Sequence, residues 1–253
     1  MKERKKDIQD LKEDCRRSRI CDRILDFLFP RRCPFCDEVV KYGDMICDRC
    51  RDKKRYIEGA YCMKCGKPLL RSDSECCKDC KRTGHNFLRG RALYIYSDEV
   101  RASITRFKYH GRREYAGYYG REMAERLGSF IKGCGADCLV PVPVSMEKLK
   151  KRGYNQAELI SERISAYTGI PTEKDLILRI RDTPPMKELT RAERMKNLKG
   201  AFKINSHVVK CRNVMIVDDI YTTGSTIDAV AAALLRAGVK NVYFITLAAG
   251  APV

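Results

Sequence analysis

Two adjacent carboxylates, Asp218 and Asp219, close an apolar run that starts at Val214, and three residues later comes Thr222-Thr223-Gly224-Ser225-Thr226. The apolar run reads as a parallel strand covered on both faces. Ligands of open α/β sheets sit just beyond the carboxyl ends of such strands. A small, hydroxyl-rich loop at the start of a helix leaves backbone N–H groups free, which suits a phosphate. Neighbouring carboxylates can accept hydrogen bonds from vicinal sugar hydroxyls. This spacing therefore points to a pocket for a ribose 5-phosphate. An ordinary buried strand, turn and helix, with Asp219 or Thr223 as a cap, is the alternative.

The elements that must position this site are legible around it. Ile227, Val230, Ala231, Leu234 and Leu235 form one apolar helix face, and Gly238 is a natural stop. Val242 to Ala249 is a continuous apolar strand, so the segment is a βαβ unit. Upstream, strands are expected over Arg91 to Tyr96 and Asp137 to Val142, with a further strand or edge over Asp175 to Ile180. Helices are expected over Glu99 to Lys108, Arg113 to Phe130 and Asn155 to Tyr167. A short amphipathic helix over Ile20 to Phe29 precedes Pro30.

A second constellation follows Val140-Pro141-Val142-Pro143. The segment Ser145 to Gly153 carries Lys148, Lys150, Lys151 and Arg152 and reads as a basic loop after a strand end. Such a loop can hold pyrophosphate; it can equally be a solvated basic turn. Asn155 can cap the next helix.

Of 14 cysteines, eight form four Cys-x-x-Cys pairs: Cys33/Cys36, Cys47/Cys50, Cys62/Cys65 and Cys77/Cys80. Each pair presents two sulfurs to one side of a metal, and two pairs complete a tetrahedral zinc site. Sequential pairing gives one site from Cys33, Cys36, Cys47 and Cys50 and another from Cys62, Cys65, Cys77 and Cys80. Interleaved pairing stays open at this point. Four thiolates leave no position for water, so both zinc ions are expected to be structural. So small and polar a segment would draw much of its folding energy from the metal. Loss of zinc is expected to unfold the region before about Arg82 and to leave much of the later sheet intact.

The 253 residues accommodate one full domain and a small one. Boundaries are expected at 1–32 for a basic extension with its short helix, 33–82 for a double zinc ribbon, and 83–253 for an α/β domain. A formal charge of +18 favours polyanionic partners without choosing among them. The sequence has no run of 18 apolar residues and no apolar signal core near Met1, so neither a membrane span nor secretion is expected.

The thirteen residues Val214 to Thr226 resemble the phosphoribosyl pyrophosphate (PRPP) motif of type I phosphoribosyltransferases. The cysteine quartets, Phe107-Lys108-Tyr109-His110-Gly111, Arg152-Gly153-Tyr154-Asn155-Gln156, Thr183 with Leu189, Arg194 to Asn197, Gly200-Ala201-Phe202 and the PRPP motif together resemble, in order, the ComF family. This is the phosphoribosyltransferase-like competence family that also contains GntX-type proteins. Met186 departs from the Gln usual at that position.

The resemblance implies a type I phosphoribosyltransferase-like parallel sheet behind an N-terminal zinc-ribbon domain with four cysteines to each ion. It implies that Asp218 and Asp219 hold the ribose hydroxyls, directly or through Mg²⁺, and that Thr222, Thr223, Gly224, Ser225 and Thr226 hold the 5-phosphate. Lys151, Arg152, Gly153, Tyr154, Asn155, Gln156, Lys108 and Tyr109 would line the pyrophosphate side or a family-specific groove. For Tyr109 and Tyr154, core packing is the alternative. The implied role is cytoplasmic handling of incoming single-stranded DNA in natural transformation, with the competence DNA-import machinery as possible partners. Transfer of ribose 5-phosphate from PRPP to an acceptor, with release of pyrophosphate, is the alternative.

Overall fold

The computed structural model describes residues 30–250 apart from 52, 54–55, 71–72, 182–192, 194–196, 199 and 206–210. The N-terminal extension, the expected helix over Ile20 to Phe29, and Thr183, Met186, Leu189 and Arg194 lie outside the described residues. The chain divides into two compact units, residues 1–52 and 53–253.

The first unit holds one cysteine quartet. Its first knuckle is closed by Cys33 N–H donating to the Glu38 carbonyl and Asp37 N–H donating to the Cys33 carbonyl, both at 2.8 Å. Asp37 takes the left-handed conformation, φ 63°. The second knuckle leads into the short helix α1 (Asp48–Arg51).

The second unit begins with a ribbon of the same local design. Cys62 N–H donates to the Lys67 carbonyl and Gly66 N–H to the Cys62 carbonyl, again at 2.8 Å, before the short helix α2 (Lys78–Arg82). Gly66, φ 73°, stands where the first ribbon has Asp37. A Cβ at Gly66 would lie 2.6 Å from the Arg91 Cα, so glycine is required for the knuckle to seat against the sheet.

The sheet is built from β1 (Arg89–Ile95), β2 (Cys138–Pro141), β5 (Asn213–Tyr221) and β6 (Asn241–Ala249), in the order β1-β6-β5-β2 and parallel throughout. Val214 to Val217 and Phe244 to Ala249 are buried without alternation, as a sheet covered on both faces demands. Between β1 and β2 run α3 (Asp98–Tyr109), α4 (Tyr115–Arg126) and α5 (Gly128–Gly133). The expected single helix over Arg113 to Phe130 is thus two. Leu127 leaves helical geometry at φ −100°, ψ 4°, next to Gly128, whose backbone freedom weakens propagation. After β2 come α6 (Met146–Arg152) and α7 (Gln156–Thr168), then the antiparallel pair β3 (Ile177–Arg179) and β4 (Phe202–Ile204). Helix α8 (Ser225–Arg236) joins β5 to β6, and the Gly238 N–H donates to the Leu235 carbonyl at its end.

The basic segment is a helix, not a loop. The Ser145 hydroxyl accepts from Lys148 N–H as N-cap, Glu147 sits in the first turn, and Lys150, Lys151 and Arg152 fill the last. Gly153 ends it in the left-handed conformation, φ 76°. No helix among the described residues is long and apolar enough to cross a membrane.

Candidate ribose-phosphate site and cysteine clusters

The relative lengths of β2 and β5 make the site. Pro141, the last residue of β2, pairs with Val217, and Val142 N–H makes the final bond to the Val217 carbonyl. Strand β5 continues through Tyr221, so Asp218 and Asp219 lie beyond the end of β2 with no ladder partner on that side. On the other side Asp218 is still in register with Thr246 of β6. The carboxylates are therefore held on a rigid strand at an open sheet corner, the position at which ligands of such sheets bind.

The two acids differ. Asp219 Oδ2 lies 2.6 Å from the Lys108 Nζ, at the last turn of α3, and both side chains are mostly buried. Asp218 Oδ1 accepts from the Asp219 N–H at 2.8 Å. Burial, and then the charge of Asp219, push the Asp218 carboxyl up to about 7, against the opposing pull of that hydrogen bond, Lys108 and Arg179. One carboxylate is thus neutralised by a lysine and the other is poised between its two protonation states near neutral pH.

The phosphate loop follows. Thr222, Thr223 and Gly224 form the bend, and α8 starts at Ser225, two residues earlier than its apolar face. Gly224 has φ +79°, and a Cβ there would lie 2.6 Å from the Tyr221 hydroxyl. Tyr221 cannot yield, because its ring is buried and stacked on Phe244 at 4.8 Å. The Thr223 and Ser225 hydroxyls are 2.9 Å apart, facing one another across the bend.

Cations gather around Tyr109 and Lys108. Arg152 bonds both the Tyr109 hydroxyl at 3.0 Å and Gln156 Oε1 at 2.9 Å, with its guanidinium 4.8 Å from the Tyr109 ring centre. Burial lowers Lys148, and the charges of Arg179 and Arg152 lower it further. Burial raises Tyr109, but Arg152, Lys108 and Lys148 around it bring it below its ordinary value. Lys108, Arg152 and Arg179 therefore all act on Lys148, and Lys108 and Arg179 also act on Asp218. Lys151 lies on α6, exposed.

Of the two tyrosines, Tyr154 is buried and donates its hydroxyl to the Phe107 carbonyl, whereas Tyr109 is 55% exposed. Asn155 caps α7, its Oδ1 accepting from Ala157 N–H and its Nδ2 donating to the Val142 carbonyl. Both bonds fix the start of α7, and with it Gln156. Sequence reasoning does not single out Arg179: it is one arginine on a three-residue strand, and only the fold brings its charge within electrostatic reach of Asp218.

The cysteine pairing is sequential. The sulfurs of Cys33, Cys36, Cys47 and Cys50 lie within 4.8 Å of one another, and so do those of Cys62, Cys65, Cys77 and Cys80. Cys76 belongs to neither set. All the described cysteines are free of disulfides. Two compact sets of four soft donors fit two tetrahedral zinc ions of the closed, structural kind.

Residues 24–81 match the double zinc ribbon domain family, and residues 139–251 match the phosphoribosyl transferase domain family. Competence protein ComFC of Bacillus subtilis is 28% identical over 206 residues, 79% of this chain and 82% of that one. Competence protein F of Haemophilus influenzae is 27% identical over 226 residues, 85% and 95% of the two chains. DNA utilization protein YhgH of Escherichia coli K12 is 28% identical over 217 residues, 84% and 94%. These relatives match most of the chain, and with the two domain families they bear out the family resemblance seen in the motifs.

Proposed function

We propose that this chain, a ComF-family protein with a double zinc ribbon and a phosphoribosyl transferase domain, binds PRPP or a related phosphorylated sugar at the carboxyl end of its sheet and serves in the handling of incoming single-stranded DNA. The observation that carries the ligand is the overhang of β5 beyond β2, which puts Asp218 and Asp219 next to the Gly224 bend and opposite Lys108. In this reading the acids accept the ribose hydroxyls. The N–H groups at the start of α8 and the hydroxyls of Thr222, Thr223, Ser225 and Thr226 take the 5-phosphate. Arg152, Lys148 and Arg179 face the pyrophosphate. A Mg²⁺ ion bound with PRPP would neutralise part of its charge, and Asp218 and Asp219 offer the carboxylate oxygens such a hard cation takes, directly or through water.

The role in DNA handling rests on the names of the relatives and on the excess of basic residues. Single-stranded DNA is the polyanion this reading assigns, with exposed Tyr109 beside Arg152 as a stacking platform. The cytoplasm is the compartment it requires. Active transfer of ribose 5-phosphate to an acceptor is the second reading, favoured by the cations gathered where pyrophosphate would depart.

Calorimetric titration of PRPP with Mg²⁺ tests the ligand. Saturable binding by the wild type, lost in Asp218→Ala/Asp219→Ala, is expected. Absence of binding by the folded, zinc-replete wild type would refute it and leave single-stranded DNA as the ligand to pursue.

A further inference from the structure

The second cysteine cluster is tied to the phosphate loop by a buried polar bridge. His85, at zero side-chain exposure, approaches Cys80 Sγ with Nε2 at 3.5 Å and Asp228 Oδ2 with Nδ1 at 2.8 Å. Asp228 is the fourth residue of α8, and its N–H donates back to the Gly224 carbonyl at 2.8 Å. Its remaining oxygen, Oδ1, accepts from the Asn86 N–H at 3.0 Å, and the Asn86 amide donates to its carbonyl at 3.2 Å. A carboxylate on the first turn of the phosphate-loop helix thus commits both oxygens to the segment that follows the cluster.

A second link runs in parallel. Lys67, buried in the knuckle, pairs with Asp79 at 3.0 Å and places its ammonium 5.7 Å from the centre of the Tyr221 ring. Tyr221 is the residue against which Gly224 packs. His85 also stacks on Phe87, which meets Tyr221 and Phe244 edge-on.

We propose that the second cysteine cluster governs the phosphate loop: His85 and Asp228 are positioning residues that transmit the assembled state of Cys62, Cys65, Cys77 and Cys80 to the start of α8. With zinc in place, the Cys80 sulfur and the Asp228 carboxyl hold the His85 ring between them. Outer partners of this kind typically change metal affinity about 10–100-fold when removed. When the cluster opens, the anchors of Asp228 and Tyr221 are lost together and the bend at Gly224 loosens. Metal loss at this cluster would thereby switch off an anion site built from other residues. The role of the loop as a phosphate site rests on the function proposed above; the mechanical coupling does not.

The test uses the full chain as wild type, His85→Phe and Asp228→Asn, with zinc retention read by competition against a chromogenic chelator and deuterium uptake read over residues 221–230. The expected result is that each variant surrenders one zinc at a chelator concentration roughly tenfold lower than the wild type, while the other zinc is held equally. In the wild type, stripping zinc should raise uptake across residues 221–230. Ribose 5-phosphate, as the binding probe, should lose affinity in the same order. Equal zinc retention in all three proteins, or uptake over 221–230 indifferent to zinc, would overturn the coupling. Should a variant fail to fold, the wild type with and without zinc still decides. Coupled uptake with no ribose 5-phosphate binding would refute the phosphate reading and leave the coupling standing.

Discussion

Lys108 Nζ and Asp219 Oδ2 lie 2.6 Å apart, one from the end of α3 and the other from β5, and this pair lets two adjacent carboxylates share a sheet corner. Without the ammonium, Asp218 and Asp219 would repel one another in a partly dehydrated site. Lys108→Met is therefore expected to destabilise the protein by about 1–3 kcal/mol at neutral pH, between the values typical of exposed and of fully buried pairs. Urea unfolding monitored by far-UV circular dichroism measures it. An unchanged midpoint would mean that the pair is incidental.

Asp218 gives a prediction of opposite sign. Its folded carboxyl is pushed up to about 7, whereas unfolded it titrates near 3.9. Below about pH 4 it is protonated in both states and costs nothing. Between about pH 4 and 7 the unfolded chain releases this proton while the folded chain keeps it, so this residue's contribution to stability falls as pH rises and levels off above 7. Asp218→Asn should be more stable than the wild type at about pH 8, by about 1–3 kcal/mol, with the gap closing toward pH 4. A gap independent of pH would show that the carboxyl titrates normally. Ribose-hydroxyl binding needs the carboxylate, so PRPP affinity of the wild type should increase from about pH 6 to 8.

Gly224→Ala should cost about 1–2 kcal/mol from its left-handed backbone alone, before the clash with the Tyr221 hydroxyl is counted. It should also remove ribose 5-phosphate binding, since the N–H groups of the bend would no longer converge. Calorimetry showing retained affinity would place the phosphate elsewhere.

Arg152→Ala and Arg179→Ala separate the two ends of the ligand. Each is expected to weaken PRPP roughly tenfold or more, the loss of a charge-assisted contact. Ribose 5-phosphate, which lacks pyrophosphate, should bind both variants nearly as well as the wild type. Equal losses for both ligands would put these arginines on the 5-phosphate side.

The acid pair, the phosphate loop and the βαβ unit are legible in the sequence because each is local: an unbroken apolar run, a helix of regular period, and punctuation by Gly224 and Gly238. The quartets are legible for the same reason, although only the structure chooses sequential pairing. The basic segment from Ser145 to Gly153 reads as a loop because its lysines suggest a solvated turn. The Ser145 cap and the left-handed Gly153 are the signals that make it α6 instead. Arg179 and the His85–Asp228 bridge are beyond local reading. The latter joins residues 143 positions apart, and neither residue type announces such a partner. That bridge also changes one expectation. Zinc loss is expected from the sequence to leave the sheet largely intact, yet Cys62 and Cys65 share one apolar core with Phe87, Phe244 and Ile227. Stripping the second cluster should therefore reach into the sheet domain.

The most direct measurement is a crystal structure of the zinc-loaded chain soaked with PRPP and Mg²⁺. The 5-phosphate is expected within the bend from Thr222 to Thr226 and the ribose hydroxyls on Asp218 and Asp219. Pyrophosphate density should face Arg152 and Arg179. A ligand bound away from the end of β5, or a site that stays vacant at saturating PRPP, would contradict this placement.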